Sequence, residues 1–267
     1  MMPRSQSLKP IYTPANCNPA YQLNWSLSLF WRLHNDKLGT EWLPSLKMAT
    51  EKDGVRILEY RNVGSQVSQF LLSTKPATAP QAAIRSVKGR LQYLIRDIYP
   101  KAFQRNYSLH SIGSAKREVI EGYVSTQLGH HKMADRNVQE RLAQYQIKNL
   151  DVDLSQPVRS SHGLYVYNLH LVLVNSGRWV EIRDDILSKV RNMIINISKK
   201  NRYRLSAAGI FPDHIHLTLG SSIGDSPEVV ALSFLNNLAY AQGMRPIYQA
   251  GYYAGTFGEY DLGAVRL

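Results

Sequence analysis

A single cysteine, Cys17, stands in the 267 residues, so no disulfide can form within the chain. Thiolate zinc sites, which take two to four cysteines, are excluded with it. No run of 18 apolar residues occurs, which leaves no candidate for a membrane-spanning helix. The first residues hold no apolar stretch ending in a small-residue cleavage site, so a cytoplasmic location is expected and a secretory leader is not. Acidic residues are scarce, 20 against 32 Lys and Arg, for a formal charge of +12 and a pI near 9.7. The excess is spread from Arg85 to Arg117 and again from Lys189 to Arg204 rather than gathered in a tail. That distribution predicts folded surfaces for a polyanion, whose binding releases counterions and weakens steeply with salt.

What is present is a core-forming chain, 44% hydrophobic, with its element pattern stated twice. Residues 1–20, with Pro3, Pro10, Pro14 and Pro19, read as an irregular arm. Residues 21–32 alternate, with Trp25, Leu27, Leu29 and Trp31 on one face of a predicted strand. Short strands follow at 55–60 and 66–74, a helix over 81–99, a strand over 107–112 closed by Gly113, and a helix over 114–128 capped by Ser114. A polar stretch holds a predicted helix over 135–148 and then a linker to 161. The pattern then restarts: strand 165–174, helix 180–200, strands 203–210 and 214–219, a helix from Pro227 to Tyr240, and one or two strands within 247–257. Pro80 and Pro227 stand 147 positions apart, each followed thirteen residues later by a tyrosine, Tyr93 or Tyr240. HSIG, ending at Gly113, is similar to GTFG, ending at Gly258. Tandem copies of one small α/β fold account for the length.

The sharpest chemical signal is FPDHIHLTLG, 211–220. Residues i and i+2 of a strand share a face, so His214 and His216 aim two imidazoles at one point while Ile215 turns to the core. Two imidazoles so placed suit a divalent metal, and Asp213 can orient one ring. The segment resembles the HUH signature of the small single-tyrosine transposases, the insertion-sequence and REP-associated enzymes that act on single-stranded DNA. In that family the two histidines hold Mg²⁺ or Mn²⁺, a tyrosine on a later helix attacks the scissile phosphate, and a glutamine four residues after it completes the metal shell. Tyr123 and Gln127, in SLHSIGSAKREVIEGYVSTQL (108–128), are similar to that pair and share one helical face. The segment 86–100 resembles the basic helix that follows the family's histidine strand.

The resemblance implies an α+β fold of two tandem ferredoxin-like, RRM-like HUH domains, antiparallel sheets with helices on one face, forming a pseudodimer. The implied boundaries are an arm at 1–20, a first domain at 21–130, a linker with a short helix at 131–161 and a second domain at 162–267. Each domain departs from the family differently. In the first, the 147-residue offset carries His214 and His216 back to Val67 and Gln69, so the tyrosine helix is kept and the histidine pair is lost. In the second the pair is kept, but ten residues past Gly258, the spacing from Gly113 to Tyr123, would be position 268, so the tyrosine helix is missing. One composite site follows from the family's habit of docking the tyrosine helix of one subunit on the histidine strand of the other.

The implied chemistry is metal-dependent nicking and strand transfer through a 5′-phosphotyrosine, with Tyr123 as nucleophile, His214, His216 and Gln127 as ligands, and Asp213 behind them. The implied partner is single-stranded DNA with hairpin-bearing ends, and the chain is expected to act as an internal pseudodimer, monomeric as a chain. Lys88, Arg90, Arg96 and Lys116 are the expected phosphate contacts, with Tyr93, Tyr107 or Trp25 as candidate base-stacking rings. Three other readings remain open: a domesticated DNA-binding descendant without transposition, a replication-initiator or relaxase-like HUH nuclease, and an RNA-binding pair of RRM-like modules. The last lacks the aromatic pairs such modules place on central strands.

Overall fold

The computed structural model describes residues 9–34, 38–130 and 136–265. Along the chain run β1 (Asn18–Gln22), β2 (Asn24–Trp31), α1 (Leu43–Glu51), β3 (Val55–Val63), β4 (Val67–Thr74), α2 (Pro80–Leu94), β5 (Phe103–Ile112) and α3 (Arg117–His130). Then come α4 (Arg136–Ala143), β6 (Ile147–Lys148), β7 (Val158–Arg159), β8 (Gly163–Val166), β9 (Asn168–Val174), α5 (Asp184–Asn201), β10 (Arg204–Ile210), β11 (His214–Gly220), α6 (Pro227–Ala241), β12 (Gly251–Phe257) and α7 (Leu262–Val265). They build two six-stranded sheets. The front sheet is ordered β3-β4-β2-β5-β8-β7 and the back sheet β1-β12-β9-β11-β10-β6. Four consecutive strands of each, β3-β4-β2-β5 and β10-β11-β9-β12, follow the same order relative to the chain.

Local chemistry explains the elements. In β2 the alternation is realised as expected, with Trp25, Leu27, Leu29 and Trp31 all buried. Pro80 and Pro227 each open a 15-residue helix, at the first position where a missing N–H costs nothing. Ser226 caps α6 by accepting the Val229 N–H at 3.2 Å. Helix α5 begins with Asp184 and Asp185 and ends with Lys199 and Lys200, matching its dipole, and stops where Arg202 turns left-handed at φ 58°.

The two sheets are stitched reciprocally. β1 runs parallel to β12 of the back sheet, and β8 runs parallel to β5 of the front sheet. Gly113 bridges Asp261, and Lys116 bridges Gly258. The Ser111 hydroxyl accepts the Asn168 N–H, while the Thr256 hydroxyl accepts that of Asn24. A side chain at Gly113 or Gly258 would collide with the opposite backbone, at Thr256 and Ser111 respectively, so these crossings require glycine.

Several sequence expectations need correction. The strand at 21–32 is two strands, β1 and β2, divided at Leu23 so that β1 can join the other sheet, and 165–174 divides likewise into β8 and β9. Both sheets therefore contain one parallel pairing and are not purely antiparallel. Helices do not lie on one face only: β11 is buried on both faces, because α5 and α6 lie behind it and α3 in front. Helix α1 carries no strong apolar period and was not expected. The predicted helix over 135–148 ends at Ala143 and its tail becomes β6, paired with β10; Asp135 lies outside the described residues. Residues 1–8 of the expected arm lie outside them too.

Candidate active site

The β10–β11 hairpin sets the site. Ile210 pairs with Ile215, and the intervening turn is held by the Phe211 N–H donating to His214 O at 2.9 Å and the Asn175 N–H to Asp213 O at 2.8 Å. Phe211 stacks almost flat on His214, centroids 4.8 Å apart at 16°. His214 and His216 are 7% and 6% exposed, and their ring centroids lie 5.0 Å apart.

Each imidazole meets a partner at Nδ1. His214 Nδ1 lies 2.6 Å from Asp213 Oδ1, and Asp213 Oδ2 accepts from Arg178 at 2.9 Å. Burial alone would raise the Asp213 carboxyl, but His214 and Arg178 outweigh it and hold the group below the usual carboxylate range. His216 Nδ1 lies 2.9 Å from His170 Nε2 on β9, with the two rings stacked at 20°. Burial pushes His170 down to about 4, so at neutral pH its imidazole is uncharged and able to accept a hydrogen bond.

Helix α3 covers this face. Gly209, opposite His216 on β10, leaves room for the Phe211 ring, which a Cβ there would meet at 2.7 Å, and stands in van der Waals reach of the Val124 carbonyl of α3. The helix start is tied down by Arg117, whose N–H donates to Gly258 O and whose guanidinium pairs with Glu121 and Glu259. Tyr123 then sets its ring edge-on to His216, centroids 5.8 Å apart. The Gln127 amide donates to the Tyr123 hydroxyl at 2.8 Å. Gln127 is 3% exposed and Tyr123 46%, so the phenol stands at the mouth of the site with the amide beneath it.

Tyr123, Gln127, Asp213, His214 and His216 are thus brought together from two distant stretches of chain. Lys88, Arg90, Arg96 and Lys116 are not part of the cluster. Lys88 donates to the carbonyls of Gln104 and Arg105, Arg90 pairs with Asp53 at 2.8 Å, Arg96 stacks 4.2 Å over Tyr93, and Lys116 sits at the sheet crossing. Of the candidate stacking rings, Trp25 is buried and bonded to Thr74, Tyr107 is buried, and Tyr93 is exposed. Sequence reasoning missed His170. The signal was present in NLHLVLV, where His170, with Asn168, faces away from Leu169, Leu171 and Leu173. Among the described residues no group of three or more His, Cys, Asp or Glu side chains is arranged to hold a metal ion. No helix among them is long and apolar enough to cross a membrane.

Residues 164–266 match the family model described as IS200-like transposase. Among solved structures, a REP-associated tyrosine transposase bound to a REP hairpin is 15% identical, with a TM-score of 0.31, over 34% of this chain and 56% of that one. A glycine cleavage system transcriptional repressor is 12% identical over 88% of this chain and 98% of its own, with a TM-score of 0.24. No curated protein matches the chain.

Proposed function

We infer that the chain cuts and rejoins single-stranded DNA at one composite centre, with Tyr123 as nucleophile, a reading supported by the match of residues 164–266 to the IS200-like transposase model. The observation that carries this is the placement of the Tyr123 ring 5.8 Å from that of His216, with Gln127 bonded to the phenol. On this reading the two sheets are tandem transposase-like domains forming a pseudodimer, the first keeping the tyrosine helix and the second the histidine pair.

The donor set fits a divalent cation. Asp213 on His214 Nδ1 and His170 on His216 Nδ1 put the ring lone pairs on the Nε2 atoms. The Gln127 amide nitrogen donates to Tyr123, and as a ligand Gln127 would use its carbonyl oxygen, the amide's lone-pair atom. Two imidazoles and an amide oxygen suit Mn²⁺, with Mg²⁺ the harder alternative. A cation held by His214, His216 and Gln127 supplies Lewis-acid polarisation of the phosphate.

The chain's own groups do the rest. A phenol attacks only as it loses its proton, and the amide N–H of Gln127 stabilises the phenolate as it forms. The Tyr123 oxygen bonds to phosphorus, the P–O3′ bond breaks, and a 3′-hydroxyl leaves with its proton. The 5′-phosphotyrosine keeps the phosphodiester's free energy, so a later 3′-hydroxyl restores the strand and releases the phenol without ATP. A single-stranded oligonucleotide with a hairpin, labelled 3′ of the cut and incubated with Mn²⁺, should form a covalent adduct resolved on a denaturing gel. Tyr123→Phe should bind the oligonucleotide and form none; an adduct from that variant would overturn the assignment.

A further inference from the structure

Beside α2, on the helix-covered side of the front sheet, a cavity of about 310 Å³ is lined by Arg85, Lys88, Gly89, Arg105, Tyr107 and His162, and no acidic side chain reaches it. Neither Arg85 nor Arg105 forms an ion pair among the described residues. Lys88 is fastened to the wall by the Gln104 and Arg105 carbonyls at 2.6 and 3.0 Å. Burial, and then the charge of Arg32, press its pKa down, as expected for a cation with no counter-anion. Arg90, on the same helix, points elsewhere and is neutralised by Asp53.

The matching place beside α6 is built otherwise. The residues 147 positions after Arg85, Lys88 and Gly89 are Leu232, Leu235 and Asn236. Asn236 clasps the backbone of Tyr12 with two hydrogen bonds of 2.8 and 2.9 Å, and the Tyr12 hydroxyl bonds both backbone groups of Tyr248. There the N-terminal arm plugs the space with apolar packing. Beside α2 the space is open, and it is lined by Arg85 and Lys88, where the counterpart helix carries leucines, and by Arg105 of β5.

We propose that this cavity seats backbone phosphates of single-stranded DNA, a second hold on the strand apart from the reacting centre. The concave wall presents two guanidiniums able to fork onto phosphate oxygens and one fixed ammonium. The identity of the strand as DNA rests on the function proposed above; the cationic seat does not.

The test uses the full chain carrying Tyr123→Phe, so that binding is read without cleavage. Fluorescence anisotropy of a labelled single-stranded oligonucleotide is followed across a salt series. Arg85→Glu with Arg105→Glu should weaken binding by about 10- to 100-fold and flatten the log K against log salt slope by roughly 0.7 for each phosphate released. Gly89→Glu should act in the same direction, since a Cβ there meets nothing within 4 Å and the fold has no reason to shift. Lys189→Glu with Lys200→Glu, an equal charge reversal on α5, should change affinity far less. If circular dichroism shows the variants folded and affinity and slope stay within about twofold of the parent, the cavity is no phosphate seat. Failure of the catalytic reading is separate: the unmodified Tyr123 protein would form no adduct while the cavity variants still lost affinity.

Discussion

Strands β4 and β11 occupy the same place in their sheets and have opposite surroundings. β11 is buried along its whole length, with His214 and His216 under α3. β4 places Val67 and Gln69 at those two positions, both only half buried, and Gln69 spends its amide on Ser26 at 2.8 Å and Arg61 at 2.6 Å. Ser108 and His110 of β5 extend the same polar, partly open face. The covering helix makes the difference. α3 leaves the end of β5 and crosses to the back sheet, while the helix described after β12, α7, spans four residues. An imidazole pair becomes a site when a second element closes over it, excludes water and supplies the complementary groups.

That contrast can be broken at several points, in falling order of expected effect. His216→Ala should abolish Mn²⁺-dependent adduct formation, a loss on the order of 10²–10⁴-fold, while single-strand binding by anisotropy survives. Retained metal-dependent cleavage would detach the back sheet from the chemistry. Gly209→Val should push α3 off β10, lowering stability by about 1–3 kcal/mol in denaturant titration and removing the adduct together with the Tyr123–His216 contact. His170→Ala should weaken Mn²⁺ binding by about 10- to 100-fold in calorimetry, with His170→Asn recovering part of it through its acceptor oxygen. Equal losses in both variants would reduce His170 to a packing residue.

The smallest effect concerns His110, the imidazole of the open face. Burial lowers its pKa below the ordinary 6.5. The unfolded chain therefore takes up this proton first as pH falls. Stability from the neutral ring is complete above 6.5 and is lost progressively below it. His110→Gln should flatten the decline in melting temperature between neutral and mildly acid pH, and an unchanged slope would rule His110 out as its source.

The sequence made the helix from Pro227 legible to the residue at its start and the one at Pro80 to within one residue, because proline at the first turn and period-3.6 apolar spacing both act locally. The histidine pair and the Tyr123–Gln127 pair were legible for the same reason: i, i+2 and i, i+4 spacings are local geometry. Illegible were the facts made by contact across the chain. Nothing near Leu23 announces that β1 joins the far sheet, because that pairing is decided by β12 more than 200 residues on. The contact at Gly209 is made by Val124, on a helix 85 positions earlier. His170 was readable as an odd polar residue in an apolar strand, but its partner His216 became visible only with the register of β9 against β11. Which of the basic residues stay open to a phosphate was not readable, since pairing with Asp53 or with carbonyls is a tertiary property.

The exchange of β1 and β8 between the sheets bears on how this protein could ever be divided. Cutting the polypeptide between α3 and α4 would yield two pieces, the first holding β1 of the back sheet and the second holding β7 and β8 of the front sheet. Neither piece would be a module in its own right. They would be obligate complements, silent when produced singly and competent when produced together, which makes this junction a natural place to engineer a split, assembly-controlled version of the protein.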